Sequence, residues 1–198
     1  MTVRYFLDTE FIEDGSTIDL ISIGIVSSDL REYYAINVDC DFSKANDWVK
    51  ENVLKQLPPK PEPNQVTEED ILWETRRAIA KDIVCFIKQP FFKNDLTKLD
   101  YKAVKQIEPE TGIDVEIWTY YGAYDWVVFC WLFGAMIDLP KGFPMYTNDI
   151  KQWCKQLGDP RLPEQGKGKH NALADAHWNK RAWEFLRKFE ENCTVERG

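Results

Sequence analysis

Asp8 and Glu10 stand two residues apart at the end of a β-branched and aromatic stretch, residues 3–8, that reads as a strand. Side chains two apart on a strand point to one side, so both carboxylates face one spot. Carboxylate oxygens suit a hard divalent cation, and Mg²⁺ in particular keeps several waters and accepts phosphate oxygens from a substrate. A third acid, Asp125 in YGAYD, falls in the first turn of an apolar helix that follows a strand-to-helix turn. His170 ends a Gly/Lys loop, and Asp175 follows it by 175 − 170 = 5 residues in the early turns of a closing helix, with Asn171 as its cap. Singly, each has an ordinary reading: a solvated acid pair, an acid complementing a helix dipole, an exposed histidine. His177, on the same closing helix, keeps that ordinary reading. The set as a whole describes carboxylates for a metal with a base beside them, because a histidine's usual pKa of about 6.5 lets it take a proton near neutral pH.

Positioning these groups falls to a readable series of elements. Residues 18–26 and 31–39 form two further strands, linked to the first by turn residues, hence an antiparallel meander. A helix follows over 44–57, with Trp48, Val49, Val53, Leu54 and Leu57 on one stripe and Pro58 at its end. After a Pro-rich loop, Thr67 with Asp70 resembles a helix cap, and apolar residues recur at helical spacing to Pro90. Residues 113–120 read as a fourth strand, reached by a crossover and therefore parallel to an earlier one. A helix over 124–136, a strand or loop at 143–146, a helix over 148–157 and a closing helix over 171–191 complete the chain. Ala172, Ala174 and Ala176 are small enough to let the closing helix approach the sheet and bring Asp175 to the acid pair. Trp118, Trp131 and Trp183 sit at core spacing. The expected fold is α/β, a mixed sheet of three antiparallel strands with parallel additions and helices on both faces, forming one domain over 1–198.

Composition narrows the function classes. A chain of 198 residues, 44% hydrophobic and 14% aromatic, carries too much apolar content for disorder. Its longest apolar run, residues 126–137, is shorter than the roughly 20 residues that cross a bilayer. With no cleavable signal pattern at its start, the chain reads as cytoplasmic and away from membranes. Five scattered cysteines at no zinc or redox spacing read as reduced thiols. A net charge of −8 excludes a protein that holds nucleic acid by charge alone. The balance is uneven: residues 1–50 carry four Lys/Arg against ten Asp/Glu, whereas residues 151–181 carry seven against three.

The pattern Asp-x-Glu, a mid-chain Asp, then His with four residues before Asp resembles the DnaQ-like 3′-to-5′ exonucleases of the Asp-Glu-Asp-Asp group with a histidine in the last motif. It is most similar to the RNase AS type, poly(A)-specific exoribonucleases, through YFLDTEFIEDGSTIDLISIGIVSSDLREYY from Tyr5, YGAYD from Tyr121 and HNALADA from His170. Ser22 stands where many DnaQ-like relatives carry an acid, and this favours the RNase AS type over proofreading subunits. The resemblance implies a ribonuclease H-like fold and two Mg²⁺ or Mn²⁺ ions. Asp8 would bridge them, Glu10 and Asp175 would complete one, Asp125 would reach the other, and His170 would be the general base. It implies release of nucleoside 5′-monophosphates from the 3′ end of single-stranded, A-rich RNA, and a homodimer. Lys167 and Lys169 in the basic loop are then candidate strand contacts, and Phe11 is a candidate stacking platform for the terminal base or, equally, a core residue. The competing readings are a DNA exonuclease with the same chemistry and a catalytically silent nucleic-acid-binding module.

Overall fold

The computed structural model describes residues 2–60, 72–108, 114–166 and 168–195. Largely buried β-branched and aromatic residues build β1 (Thr2–Glu13), β2 (Ile18–Ser27) and β3 (Glu32–Asn37), and Asp14 caps the first turn by accepting from the amides of Ser16 and Thr17. The short links make both pairs antiparallel. Two-residue β4 (Trp73–Glu74) adds to β3, β5 (Asp114–Thr119) to β1 and two-residue β6 (Asn148–Asp149) to β5, all parallel. The six-stranded order is β4-β3-β2-β1-β5-β6, so β1, the acid-bearing strand, is central.

Helices cover both faces. Odd-numbered Val3, Tyr5 and Leu7 of β1 join one core with α2 (Arg76–Lys88), α3 (Tyr101–Gln106) and α4 (Ala123–Trp131), through residues such as Ile79, Ile83, Val104 and Phe129. On the other face, Phe6 meets Trp183 of α6 (Ala172–Val195), and Asn179 of α6 donates to the Leu7 carbonyl at 2.9 Å. The helix α5 (Ile150–Gln156) packs on α6 through Ile150 and Cys154. Fully burying each large apolar side chain contributes about 1.5–3 kcal/mol, so the central strand is anchored from both sides.

Several expectations are corrected. The helix expected over 44–57 is the single short α1 (Asp47–Asn52) flanked by 3-10 turns, and only Val49 and Val53 of its stripe are fully buried; Trp48 is 54% exposed. The expected Thr67 cap lies outside the described residues, and the helix that runs to Lys88 is capped by Thr75, whose hydroxyl accepts from the Ala78 amide. Residues 143–146, open between strand and loop in the sequence, are loop, because the sheet edge is taken by Asn148 and Asp149. The helix expected to 136 stops at Trp131, which is exposed on the short helix and not in the core. All five cysteines are free thiols, four of them buried. Among the described residues no helix is long and apolar enough to cross a membrane.

Candidate active site

β1 runs to Glu13, so Asp8 and Glu10 lie within the strand and not at its end. What ends there is its neighbour: the parallel pairing with β5 stops at Phe6 opposite Trp118, and β5 itself stops at Thr119. The chain then turns sharply through Tyr121, at φ 57°, and Gly122, where a Cβ would overlap the Thr119 hydroxyl. The Gly122 amide donates to the Asp149 carboxylate at 3.0 Å, which fixes the start of α4. Asp125, buried in that first turn, accepts at one oxygen from both the Thr9 amide at 2.9 Å and the Thr9 hydroxyl at 2.7 Å. The third acid is thereby tied to the residue between the first two.

Asp175 arrives from the other face. Gly24 of β2 is the register partner of Asp8, and a Cβ there would overlap the Ala172 carbonyl and the Leu173 amide. The absence of a side chain thus lets the first turn of α6 lie directly on the sheet. Asn171 caps this helix, its side chain accepting from the Ala174 amide at 3.1 Å. The buried Asp175 carboxylate accepts from the His170 amide at 2.9 Å and from the Gln165 side chain. His170 itself sits at φ 66°. Ligand atoms of Glu10, His170 and Asp175 all lie within 4.8 Å of one another.

The charges oppose one another. Burial, then the neighbouring Asp125, Glu10 and Asp175, push the Asp8 carboxyl well above its usual range. Burial with Asp175 and Asp125 pushes Glu10 up to about 8. Asp125 rises to about 6, because burial outweighs the two Thr9 hydrogen bonds. Burial also raises Asp175, although the His170 amide and Gln165 partly offset it. Burial raises all four acids, and the neighbouring carboxylates raise Asp8 and Glu10 further; a cation relieves such a site, and a donor set of carboxylate oxygens with one imidazole fits a hard divalent ion.

The model of the Rv2179c-like 3'-5' exoribonuclease domain matches residues 3–187, which takes in all five of these residues. The chain belongs to this exoribonuclease domain family. It is 38% identical over 174 residues to the 3'-5' exoribonucleases Rv2179c and MT2234.1 of two Mycobacterium tuberculosis strains, H37Rv and CDC 1551, covering 88% of this chain and 87% of each relative.

Around the acids of this exoribonuclease-family chain the structure sets the expected Phe11 and Lys169 beside Tyr124, Thr9, Gln165 and Trp48, which sequence reasoning missed. Phe11 is only partly buried and stacks on Tyr124, ring centroids 5.8 Å apart and planes 28° from parallel. Tyr124 is 52% exposed, and its signal was its place beside Asp125 in YGAYD. Thr9 signalled itself only by lying between the acids. Gln165 and Trp48 carried no local signal, since each reaches the site from a separate segment. Lys169 is exposed beside His170, whereas Lys167 lies outside the described residues. His177 pairs with Glu32 at 3.1 Å, away from the site.

Proposed function

We propose that the protein is a metal-dependent 3′-to-5′ exoribonuclease that shortens single-stranded, A-rich RNA to nucleoside 5′-monophosphates. The observation that carries this reading is the meeting of Asp8, Glu10, Asp125 and Asp175 from β1, α4 and α6, with His170 at ligand distance from two of them. The family description and the named relatives support an RNA substrate over DNA. The motif pattern supports the Asp-Glu-Asp-Asp group with a histidine, the RNase AS type and a ribonuclease H-like fold built as one domain. By the same resemblance the enzyme works as a homodimer.

Asp8, Glu10, Asp125 and Asp175 would hold two Mg²⁺ or Mn²⁺ ions, with Asp8 on the central strand among the other three. When bound, such ions neutralise the scissile phosphate and the charge that develops on the attacking and leaving oxygens. This answers the acidic composition, because the scissile phosphate is met by metal and not by lysine. His170 takes the proton from the attacking water on a ring nitrogen. Thr9 fixes the Asp125 carboxylate, and the His170 amide with Gln165 fixes that of Asp175. The Phe11–Tyr124 pair offers an aromatic surface for the terminal base, and Lys169, with Lys167 in the same basic loop, draws in the strand.

The test is a gel time course on 5′-labelled oligo(A), oligo(U) and oligo(dA) with Mg²⁺ or Mn²⁺, with and without EDTA, beside Asp8→Ala. Stepwise 3′ shortening of oligo(A), abolished by EDTA and by the substitution, is the expected result. Faster loss of oligo(dA) would transfer the assignment to DNA, and no shortening of any strand would leave a binding module.

A further inference from the structure

His170 holds a left-handed backbone conformation at φ 66°, and its amide is committed to Asp175. Nothing in that bond sets the direction of the ring, so something else must. Two contacts reach this turn from one distant segment. Trp48 of α1 meets the imidazole edge-on, centroids 4.8 Å apart and planes 81° from parallel. Gln56, eight residues further along in the 3-10 turn that follows α1, donates from its side-chain amide to the Lys169 carbonyl at 2.7 Å and also to the Asn52 carbonyl of α1.

The segment is itself anchored to the strand that carries the acids. Val49 and Val53 pack with Ile12 of β1 and Ile21 of β2, and the Asn46 side chain caps α1 by accepting from the Val49 amide at 2.9 Å. Trp48, by contrast, is 54% exposed and contributes little to that core. Among the described residues, His170 is the only ring it meets. A large aromatic side chain on a fixed short helix, half in solvent and set against one imidazole, acts on that imidazole's orientation.

We propose that Trp48 and Gln56 are positioning residues: α1 and the turn after it clamp the 168–170 turn and set the His170 ring against the acids of β1. The proposal rests on the reading of His170 as general base. Because Ile12 lies two residues beyond Glu10, one strand then registers both the carboxylates and, through α1, the base.

The experiment compares wild type, Trp48→Ala, Trp48→Phe, Gln56→Ala and His170→Ala on oligo(A) with Mn²⁺. Misplacement of a reacting group by about 1 Å can cost about a hundredfold. Trp48→Ala should therefore lower kcat about tenfold or more with KM within about twofold. Gln56→Ala should lower kcat several-fold, and Trp48→Phe, which keeps an aromatic ring, should recover most of the loss. A readout independent of turnover is the proton NMR signal of the imidazole ring. The chain has two histidines, so His170→Ala assigns both signals. The signal of His170 should move when Trp48 becomes Ala, while that of His177 stays. Unchanged kcat in both Trp48→Ala and Gln56→Ala, a rise in KM alone, or an unmoved His170 signal would each overturn the clamp. If His170→Ala is as active as wild type, the general-base reading falls and takes the catalytic role of the clamp with it. An inactive His170→Ala beside fully active Trp48→Ala and Gln56→Ala leaves the base in place and removes only the clamp.

Discussion

Thr9 donates twice to one oxygen of Asp125, from its amide at 2.9 Å and its hydroxyl at 2.7 Å, across 116 residues of chain. The amide is free for this because β5 no longer runs beside β1 at that point. A carboxylate takes the place of the missing strand, and the acid of α4 is thereby registered against the acids of β1.

Thr9→Val should remove the hydroxyl bond and keep the amide bond. A hydrogen bond to a charged group contributes about 1.5–3 kcal/mol, equivalent to about one pKa unit or more. Asp125, already raised to about 6 in the metal-free site, should rise further, so the acid limb of the Mn²⁺-binding profile should move to higher pH. An unmoved limb would show that the hydroxyl contributes nothing to its ionisation.

Gly24→Ala forces a methyl into the backbone of Ala172 and Leu173. Overpacking of this kind costs about 1–3 kcal/mol, read as a lower urea midpoint. Because the displaced helix carries Asp175 in its first turn, Mn²⁺ affinity should fall as well. A destabilised variant with intact Mn²⁺ binding would separate the helix contact from the site.

The raised acids set the sign of the pH dependence. Glu10 moves from 4.5 to about 8 on folding, and Asp8, Asp125 and Asp175 also move up. The folded chain therefore holds more protons than the unfolded one between these values, and stability is lost as pH rises through that window. Glu74, raised to about 7, adds to the slope from outside the site. In EDTA, Tm should fall from pH 5 to pH 8, and Glu10→Gln should flatten the decline. Mn²⁺ should raise Tm more at pH 8 than at pH 5, with protons released on binding at neutral pH, as calorimetry in two buffers would measure.

His170→Ala should lower kcat by about 10²–10⁴-fold, the usual contribution of a positioned base, while Mn²⁺ binding changes only several-fold. The ring lies at ligand distance from Glu10 and Asp175, so the same calorimetry decides between base and ligand. Loss of Mn²⁺ binding together with activity would make His170 a ligand.

Tyr124→Ala should weaken substrate binding more than turnover. Stacking contributes about 1–3 kcal/mol per base, so KM for oligo(A) should rise at least several-fold with kcat less affected. Tyr124 is half exposed, so its loss should leave stability nearly unchanged. Unchanged KM would return Phe11 and Tyr124 to a purely structural pairing.

The chemistry of the site was legible in the sequence because it resides in residue types and local spacing. Asp8 and Glu10 share a face by strand periodicity, Asp125 opens a helix after a tight turn, and Asn171 caps the helix that carries Asp175. The meander, the parallel crossover strand and the long closing helix follow from patterns of the same short range. Only the tertiary structure decided what depends on chain meeting chain. Trp48 reads as core by helical spacing, yet α1 is too short to bury it and it stands against His170 instead. Gln165 reaches Asp175, and Gln56 reaches Lys169, through contacts that no periodicity encodes. The four acids come from three elements, and their mutual charge exists only once Gly24 lets α6 touch the sheet and the end of β5 admits Asp125.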